Sequence, residues 1–207
     1  MARSQSLVAS ASVSSSASGS DVLVELLSSR VRAAVLGFLV AREGERFSLT
    51  ELARALDLSI SSVQHECYKL ERLNVLKGRR EGVSRRYWLD RETPYVSQLI
   101  ELVVTVLGRE RLLGHALADI QGLQGALLTT APDIHLVLIG DLGLEELEAV
   151  QERAATLLDV EPDVIDIAFY GTDSWREHQA GKTALIVRLQ QAGPIVLVGE
   201  SDGIWLA

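Results

Sequence analysis

Cysteine is almost absent from this chain of 207 residues, which has a single one at Cys67. One thiol excludes an internal disulfide and a zinc cluster built from cysteines, and it fits the reducing cytoplasm, where we expect the protein. The histidines are too scattered for the spacing of a zinc site; they are His65, His115, His135 and His178. We therefore predict neither a metal nor a cofactor.

Long apolar runs are also missing. No segment approaches the ~18 uninterrupted apolar residues of a membrane-spanning helix, so we expect no membrane partner. Residues 1–20 are mostly Ser and Ala and lack the continuous apolar stretch of a secretory signal. They have too little apolar surface to offset the entropy lost on ordering, which predicts a disordered tail. With 47% apolar and 23% charged residues, the chain is otherwise typical of one large or two small globular domains.

Positive charge is scarce overall, since the formal net charge is −8, and this argues at first against a nucleic-acid partner. The charges are unevenly divided, however. Through Tyr95 the chain has 14 Lys and Arg against 11 Asp and Glu, whereas from Val96 onward it has 6 against 17. Duplex DNA responds to a local basic patch, because phosphate contacts release counterions locally. The asymmetry is typical of a nucleic-acid-binding half joined to a different kind of domain.

The first half has the periodicity of three helices followed by a β-hairpin. Helices are predicted over residues 21–40, 48–56 and 59–74, and strands over 75–78 and 84–89, with a turn at 79–83. Asp21 and Ser48 are the expected N-caps, and Glu51 completes a capping box with Ser48. The third helix has an apolar stripe that we expect to be buried, formed by Ile60, Val63, Cys67, Leu70 and Leu73. On that stripe Cys67 is interpreted as a small buried hydrophobe.

This order of elements is that of a winged helix-turn-helix, whose second motif helix enters the DNA major groove. With the apolar stripe facing inward, the polar side chains left facing outward are Ser61, Ser62, Gln64, His65 and Lys69. Arg79 and Arg80 in the predicted turn, with Arg85 and Arg86 on the returning strand, form a basic wing suited to phosphates or the minor groove. We predict double-stranded DNA as the partner. The alternative is a protein-interaction module with a solvated arginine cluster.

Four segments of this half carry a family resemblance: LTELARAL at 49–56, SSVQ at 61–64, LERL at 70–73 and GVSRRY at 82–87. They are similar to prokaryotic transcriptional regulators of the ArsR/MarR type, and closer still to those whose winged helix is fused to a nucleotidyltransferase-like domain. The resemblance covers most of the chain after residue 20. It implies a sequence-specific regulator that works as a homodimer on two half-sites.

The pattern of alternating helices and strands in the second half predicts an α/β domain. Helices are expected over 95–107, 110–120, 144–158 and most of 172–190, and strands over 123–128, 134–139, 164–170 and 194–198. The overall fold class is then α+β, with the winged helix at 21–94, a helical linker or dimerisation segment at 95–120, and a nucleotidyltransferase-like domain with a small mixed sheet at 121–207.

The resemblance implies a catalytic site that this chain has lost. Nucleotidyltransferases of that family hold the triphosphate on a Gly-Ser turn and bind two Mg²⁺ ions with an Asp-x-Asp pair and a third carboxylate. Here Asp133 and Asp166 match two of the positions, but His135 replaces the second aspartate, and the Gly-Ser turn is missing. Histidine is a poor magnesium ligand. We therefore predict no catalytic residues and no enzymatic activity, leaving a sensor or oligomerisation domain for a small-molecule or protein effector. The alternatives are an active Mg²⁺-dependent nucleotidyltransferase and a protein-interaction module in which the acidic helix 144–158 binds the partner.

Overall fold

The computed structural model describes residues 18–130 and 133–199, apart from the side chain of Leu185. Most of the predicted tail, up to residue 17, lies outside the described residues. Its last residues do not belong to a tail, because helix α1 spans Gly19–Leu27. Ser18 is the N-cap, and Asp21 is the third helical residue of a capping box rather than the cap itself.

The single helix predicted over residues 21–40 is wrong. A second helix, α2, begins at Arg30 and ends at Ala41. Ser28 takes a left-handed conformation with φ of 53°, and Ser29 is extended. The Ser29 hydroxyl then accepts a hydrogen bond from the Arg32 N–H at 3.2 Å and caps the new helix. The apolar period continues across the break, so periodicity alone predicts one helix.

The helix-turn-helix segment forms as predicted, with shifts of one or two residues at its ends. A two-residue strand β1, Phe47–Ser48, leads into α3, Leu49–Ala55, and α4 follows over Ile60–Arg72. The capping box is confirmed, because the Ser48 hydroxyl accepts from the Glu51 N–H at 3.3 Å and the Ser48 N–H donates to the Glu51 carboxylate at 2.7 Å. Ser59 caps α4.

The hairpin is longer and tighter than predicted. Strand β2 spans Leu76–Glu81, and β3 spans Ser84–Leu89, so only Gly82 and Val83 remain as the turn. Gly82 has φ of +59°, a left-handed conformation that glycine adopts without strain. The strands form a three-stranded antiparallel sheet in the order β1-β3-β2. Arg79 and Arg80 therefore lie in β2 and not in the turn.

Two helices connect the halves. α5 spans Pro94–Leu107, and α6 spans Arg109–Leu117, with the break at Gly108 as predicted. α1 packs against α5, while α6 packs against α2 on one side and against the second half on the other.

The second half contains a four-stranded mixed sheet in the order β6-β5-β4-β7. The strands are β4 Leu123–Thr129, β5 His135–Gly140, β6 Asp166–Tyr170 and β7 Ile195–Val198. β5 and β6 are parallel, and the other two pairs are antiparallel. Helix α7, Leu144–Leu158, has the predicted bounds, whereas β6 starts two residues late, after a 3₁₀ turn at Pro162–Val164. The helix predicted over most of 172–190 is two helices, α8 Thr172–Ala180 and α9 Ala184–Ala192, because Lys182 turns left-handed with φ of 43°.

One hydrophobic core runs through both halves. It includes Leu36 of α2, Val103 of α5, Leu113 of α6, Leu128 of β4 and Ala154 of α7. A smaller cluster around Trp175 packs α8 and α9 on the opposite face of the larger sheet. The described chain is thus α+β, as predicted, and among the described residues no helix is long and apolar enough to cross a membrane.

Candidate nucleic-acid interface

The inward face of α4 is only partly the predicted apolar stripe. Val63, Cys67 and Leu70 are buried, but Ile60 is 50% exposed and Leu73 is 58% exposed. Their burial was predicted wrongly because the two residues lie at the helix ends, beyond the reach of the neighbouring elements. A charged residue, Glu66, is buried in their place.

Glu66 attaches α4 to α2. Its carboxylate accepts a hydrogen bond from Arg32 Nε at 2.9 Å and another from Lys69 Nζ at 2.9 Å. Burial alone would raise the pKa of Glu66, but the hydrogen bonds and charges of Lys69 and Arg32 outweigh it and hold the pKa below its usual value. The carboxylate is therefore ionised at neutral pH and links the inward face of α4 to α2.

The outward face of α4 is polar. Of the side chains predicted to face outward, Ser61, Gln64 and His65 are exposed. Ser62 is half-buried in the cap, where its hydroxyl accepts from Ser59 Oγ at 2.8 Å. Lys69 is half-buried against Glu66, so it lies at the edge of this face and not in its centre.

Two residues of the same face were missed by the sequence reasoning. Tyr68 is 59% exposed, and the Arg72 guanidinium lies over its ring at 5.9 Å. Both continue the spacing of three and four from Ser61 through Gln64, so helical periodicity applied to polar residues could have found them. The exposed face of α4 is defined here as Ser61, Gln64, His65, Tyr68 and Arg72.

The four predicted wing arginines form two cross-strand pairs, Arg79 with Arg86 and Arg80 with Arg85. Like charges directly opposite each other destabilise a sheet, so each pair needs counter-charge. Side chains alternate along a strand, so the two pairs lie on opposite faces of the hairpin.

Arg85 and Arg86 have internal partners. Arg85 donates to the carboxylate of Glu71 on α4, and Arg86 donates to Glu51 of α3 at 3.0 Å and to the carbonyl oxygen of Arg46 at 2.9 Å. These contacts attach the wing to both helices of the motif. Arg85 and Arg86 therefore position the wing, which the sequence pattern did not predict.

Arg79 and Arg80 differ from them. Both are exposed, and neither has a hydrogen bond or ion pair within the described ranges 18–130 and 133–199. They follow each other in β2, so they project from opposite faces of the wing. Arg46, another arginine that the sequence reasoning missed, is held by Glu81 at 2.5 Å and lies over the Trp88 ring at 4.5 Å.

Cys67 is fully buried in the inward face of α4. Burial, and then the charges of Glu71 and Glu66, raise the pKa of its thiol to about 12. The thiol is therefore protonated and sheltered at neutral pH, as expected of a small buried hydrophobe.

The residues that the resemblance matches to a nucleotidyltransferase metal site lie at one end of the larger sheet. His135 and Asp166 begin neighbouring parallel strands, and His135 Nδ1 lies 2.9 Å from Asp166 Oδ2. Asp133 is exposed two residues earlier in the chain. In the part of the chain that the structure describes, no three histidine, cysteine or carboxylate side chains are grouped so that they could hold a metal ion.

No family model matches the chain, and no curated protein matches it. Among solved structures, reduced HlyU from Vibrio cholerae N16961 is similar at 24% identity and a TM-score of 0.34, over 44% of this chain and 90% of that one.

Proposed function

We propose that this protein binds double-stranded DNA through α4 and the β2–β3 wing and acts as a sequence-specific transcriptional regulator. The main support for the proposal is a difference between the two arginines of β3 and the two arginines of β2. Arg85 and Arg86 are used to hold the wing against α3 and α4, while Arg79 and Arg80 are left exposed without internal counter-charge. Unpaired cations on a positioned hairpin beside a polar helix face are suited to duplex phosphates.

The two surfaces have different roles in this proposal. An α-helix fits the major groove, so the exposed face of α4 reads base edges. Gln64 offers the amide that pairs with adenine, and Ser61 near the N-terminus reaches bases or phosphates. Arg79 and Arg80 contact the backbone or the minor groove and set affinity rather than sequence preference.

The wing is tested by fluorescence anisotropy with the full chain and a duplex of ~30 base pairs, long enough for two half-sites. In the double variant Arg79→Gln/Arg80→Gln we expect the slope of log affinity against log salt to fall by about two, because two phosphate contacts are lost. The matched control is Lys182→Gln/Arg188→Gln, which removes the same charge from exposed positions of the second half.

Two results would contradict the proposal. One is a slope that does not differ between the two double variants, and the other is the absence of salt-dependent binding by the unaltered chain, which would leave the protein-interaction module. Sequence preference is measured by selection from a randomised duplex pool. If no sequence is enriched, the protein binds DNA without sequence preference, and the proposed role as a sequence-specific regulator is wrong.

We further propose a homodimer formed through α1 and α5. These helices pack together and expose apolar side chains on their outer side, with Leu26 at 57% and Leu102 at 41% exposure. A two-fold dimer would bury them and present two copies of α4 to successive half-sites. Light scattering should give twice the chain mass for the unaltered chain and for Leu144→Glu, which changes an exposed leucine of α7. It should give the monomer mass for Leu26→Glu/Leu102→Glu, and a dimer in that variant would exclude this face.

The second half is proposed to be a non-catalytic, nucleotidyltransferase-like domain. His135 stands where the related enzymes have a second aspartate, and its imidazole is engaged with Asp166. Magnesium ions in phosphoryl transfer need oxygen ligands. We expect no incorporation of label from radioactive nucleoside triphosphates in the presence of Mg²⁺. Incorporation that is lost in Asp133→Ala would establish the enzyme instead.

A further inference from the structure

A half-open cavity of about 570 Å³ lies where α1, α2 and the end of α3 meet α6. Its walls include apolar side chains from all four elements, among them Leu23, Phe38, Leu56 and Leu112. The volume falls within the few hundred to one thousand Å³ that is usual for small-molecule sites. The cavity is separate from the exposed face of α4 and from the wing.

The charged residues that line the cavity are mostly cationic. They are Arg30, Arg42 and Arg111, with Asp119 as the one acidic residue among the described lining residues. Arg30 and Arg111 are exposed at the rim and have no ion pair within residues 18–130 and 133–199. Two cations are therefore available to a ligand.

Asp119 does not neutralise them. Its two oxygens are held at 3.0 Å each by the buried Arg42 and by Arg153 of α7. The Arg42 guanidinium also donates to the carbonyl oxygen of His115 at 2.5 Å and lies over the Phe38 ring at 4.2 Å. Arg42 is thus a buried cation that its contacts with Asp119, His115 and Phe38 hold in place.

His115 lines the cavity beside two of its arginines. The pKa of His115 is lowered, first by burial and then by the charges of Arg111 and Arg42. The imidazole that lines the cavity is therefore neutral at physiological pH and offers a hydrogen bond without repelling an anion from its cationic neighbours.

We propose that this cavity binds a small amphipathic organic anion, with its apolar body against Leu23, Phe38 and Leu112 and its carboxylate or sulfonate at Arg111 and Arg30. A neutral hydrocarbon would leave both guanidinium groups without a partner. A small inorganic anion would leave the apolar side chains of the cavity uncovered. The site lies between the first-half helices and α6, and not within residues 121–207, where the sequence analysis expected an effector.

The test uses two dyes with the same aromatic body. 1-Anilinonaphthalene-8-sulfonate has the anionic group, and N-phenyl-1-naphthylamine lacks it; both fluoresce strongly only in apolar surroundings. We expect saturable binding of the sulfonate to the full chain with one site. In Arg30→Gln/Arg111→Gln its affinity should fall about tenfold or more, as expected for loss of charge-assisted contacts, while that of the neutral dye should change less than about twofold.

The control for net charge is Lys182→Gln/Arg188→Gln, which removes the same two positive charges from exposed positions of the second half. It should leave both affinities unchanged. A third variant, Ala34→Phe, places a ring in the cavity from α2 and should abolish binding of both dyes, with thermal unfolding measured to show that it folds. Because the two rim arginines are exposed, their variant gives a result even if Ala34→Phe does not fold.

Equal loss of sulfonate binding in Arg30→Gln/Arg111→Gln and in Lys182→Gln/Arg188→Gln would overturn the proposal. Sulfonate binding that is unchanged in Arg30→Gln/Arg111→Gln would also overturn it. No DNA is present in the measurement, so its outcome is independent of the proposed regulatory function.

Discussion

Glu66 is a charged residue in the buried face of α4, and its partners come from two directions. Arg32 reaches it from α2, and Lys69 reaches it from the next turn of α4. A buried carboxylate is stable only when such partners compensate for the lost water. Glu66 lies on the inward face of α4 with the buried Val63, Cys67 and Leu70, opposite the proposed reading face.

Replacement of Glu66 by Gln should lower the free energy of unfolding by about 2 kcal/mol at pH 7, because both ion pairs are lost. The loss is no larger because Arg32 and Lys69 keep some access to water. The pKa of Glu66 in the folded protein lies below its ordinary value. Its stabilising contribution is therefore complete above that ordinary value and is lost as the pH falls through the folded pKa. Glu66→Gln should show a smaller loss of stability on acidification than the unaltered chain.

Urea unfolding at several pH values from neutral to acid measures this difference. Glu148→Gln is the control, because Glu148 is exposed on α7 and has no ion pair among the described residues. An acid dependence of stability that is unchanged by Glu66→Gln would show that the carboxylate does not act through its ionised form.

At the scale of elements, the wing is a hairpin whose internal charges compete with its proposed ligand. Glu71 of α4 supplies counter-charge to Arg85, and Glu51 of α3 supplies it to Arg86. These carboxylates stabilise the free wing, but they also place negative charge beside a surface proposed to meet phosphates. If the protein binds DNA as proposed, the contacts that position the wing also limit the affinity.

Glu71→Gln should therefore tighten DNA binding. The change frees Arg85 from its ion pair, and we expect a several-fold gain in affinity at low salt with a salt slope steeper by about one. The anisotropy titration of the full chain measures both, with Glu148→Gln as the variant of equal charge change. Weaker binding in Glu71→Gln would mean that the ion pair between Arg85 and Glu71, which holds the wing against α4, matters more for affinity than the negative charge of Glu71.

At the scale of the whole molecule, the two halves share a core and a network of charges. Arg153 of α7 donates to the carbonyl oxygen of Ala116 at 2.6 Å, and it pairs with Asp119 at 3.0 Å and with Glu45 at 2.9 Å. It therefore joins the second half to α6 and to the turn that follows α2. Ligand in the cavity, which Asp119 also lines, would contact the first-half helices and α6, and Arg153 joins α6 to the second half.

Because the core is continuous, the halves should unfold in one transition. Trp88 reports on the wing and Trp175 on the second half. In a variant that keeps only Trp88 of the three tryptophans, and in one that keeps only Trp175, the fluorescence curve in urea should coincide with the far-UV circular dichroism curve of the same variant. Arg153→Met should lower both midpoints equally. Separated curves would show that the halves are independent folding units, despite the continuous core.

Local chemistry allowed much of this structure to be predicted from the sequence. The capping box at Ser48 and Glu51, the break at Gly108 and the bounds of α7 depend on residues within a few positions of one another, where caps, turns and periodicity act. The hairpin and its four arginines were visible for the same reason, as were Ser61, Gln64 and His65 on the outward face of α4.

Tertiary structure alone decided what those residues do. Glu66 is buried because Arg32, 34 positions earlier, lies across from it, and Arg85 is held because Glu71 reaches it from another element. The cavity exists only where α6 meets α1 and α2. Burial, ion pairing and enclosed volume depend on neighbours distant along the chain, so the sequence determined which side chains were available, and the packing of helices and sheets determined which remain free to bind a partner.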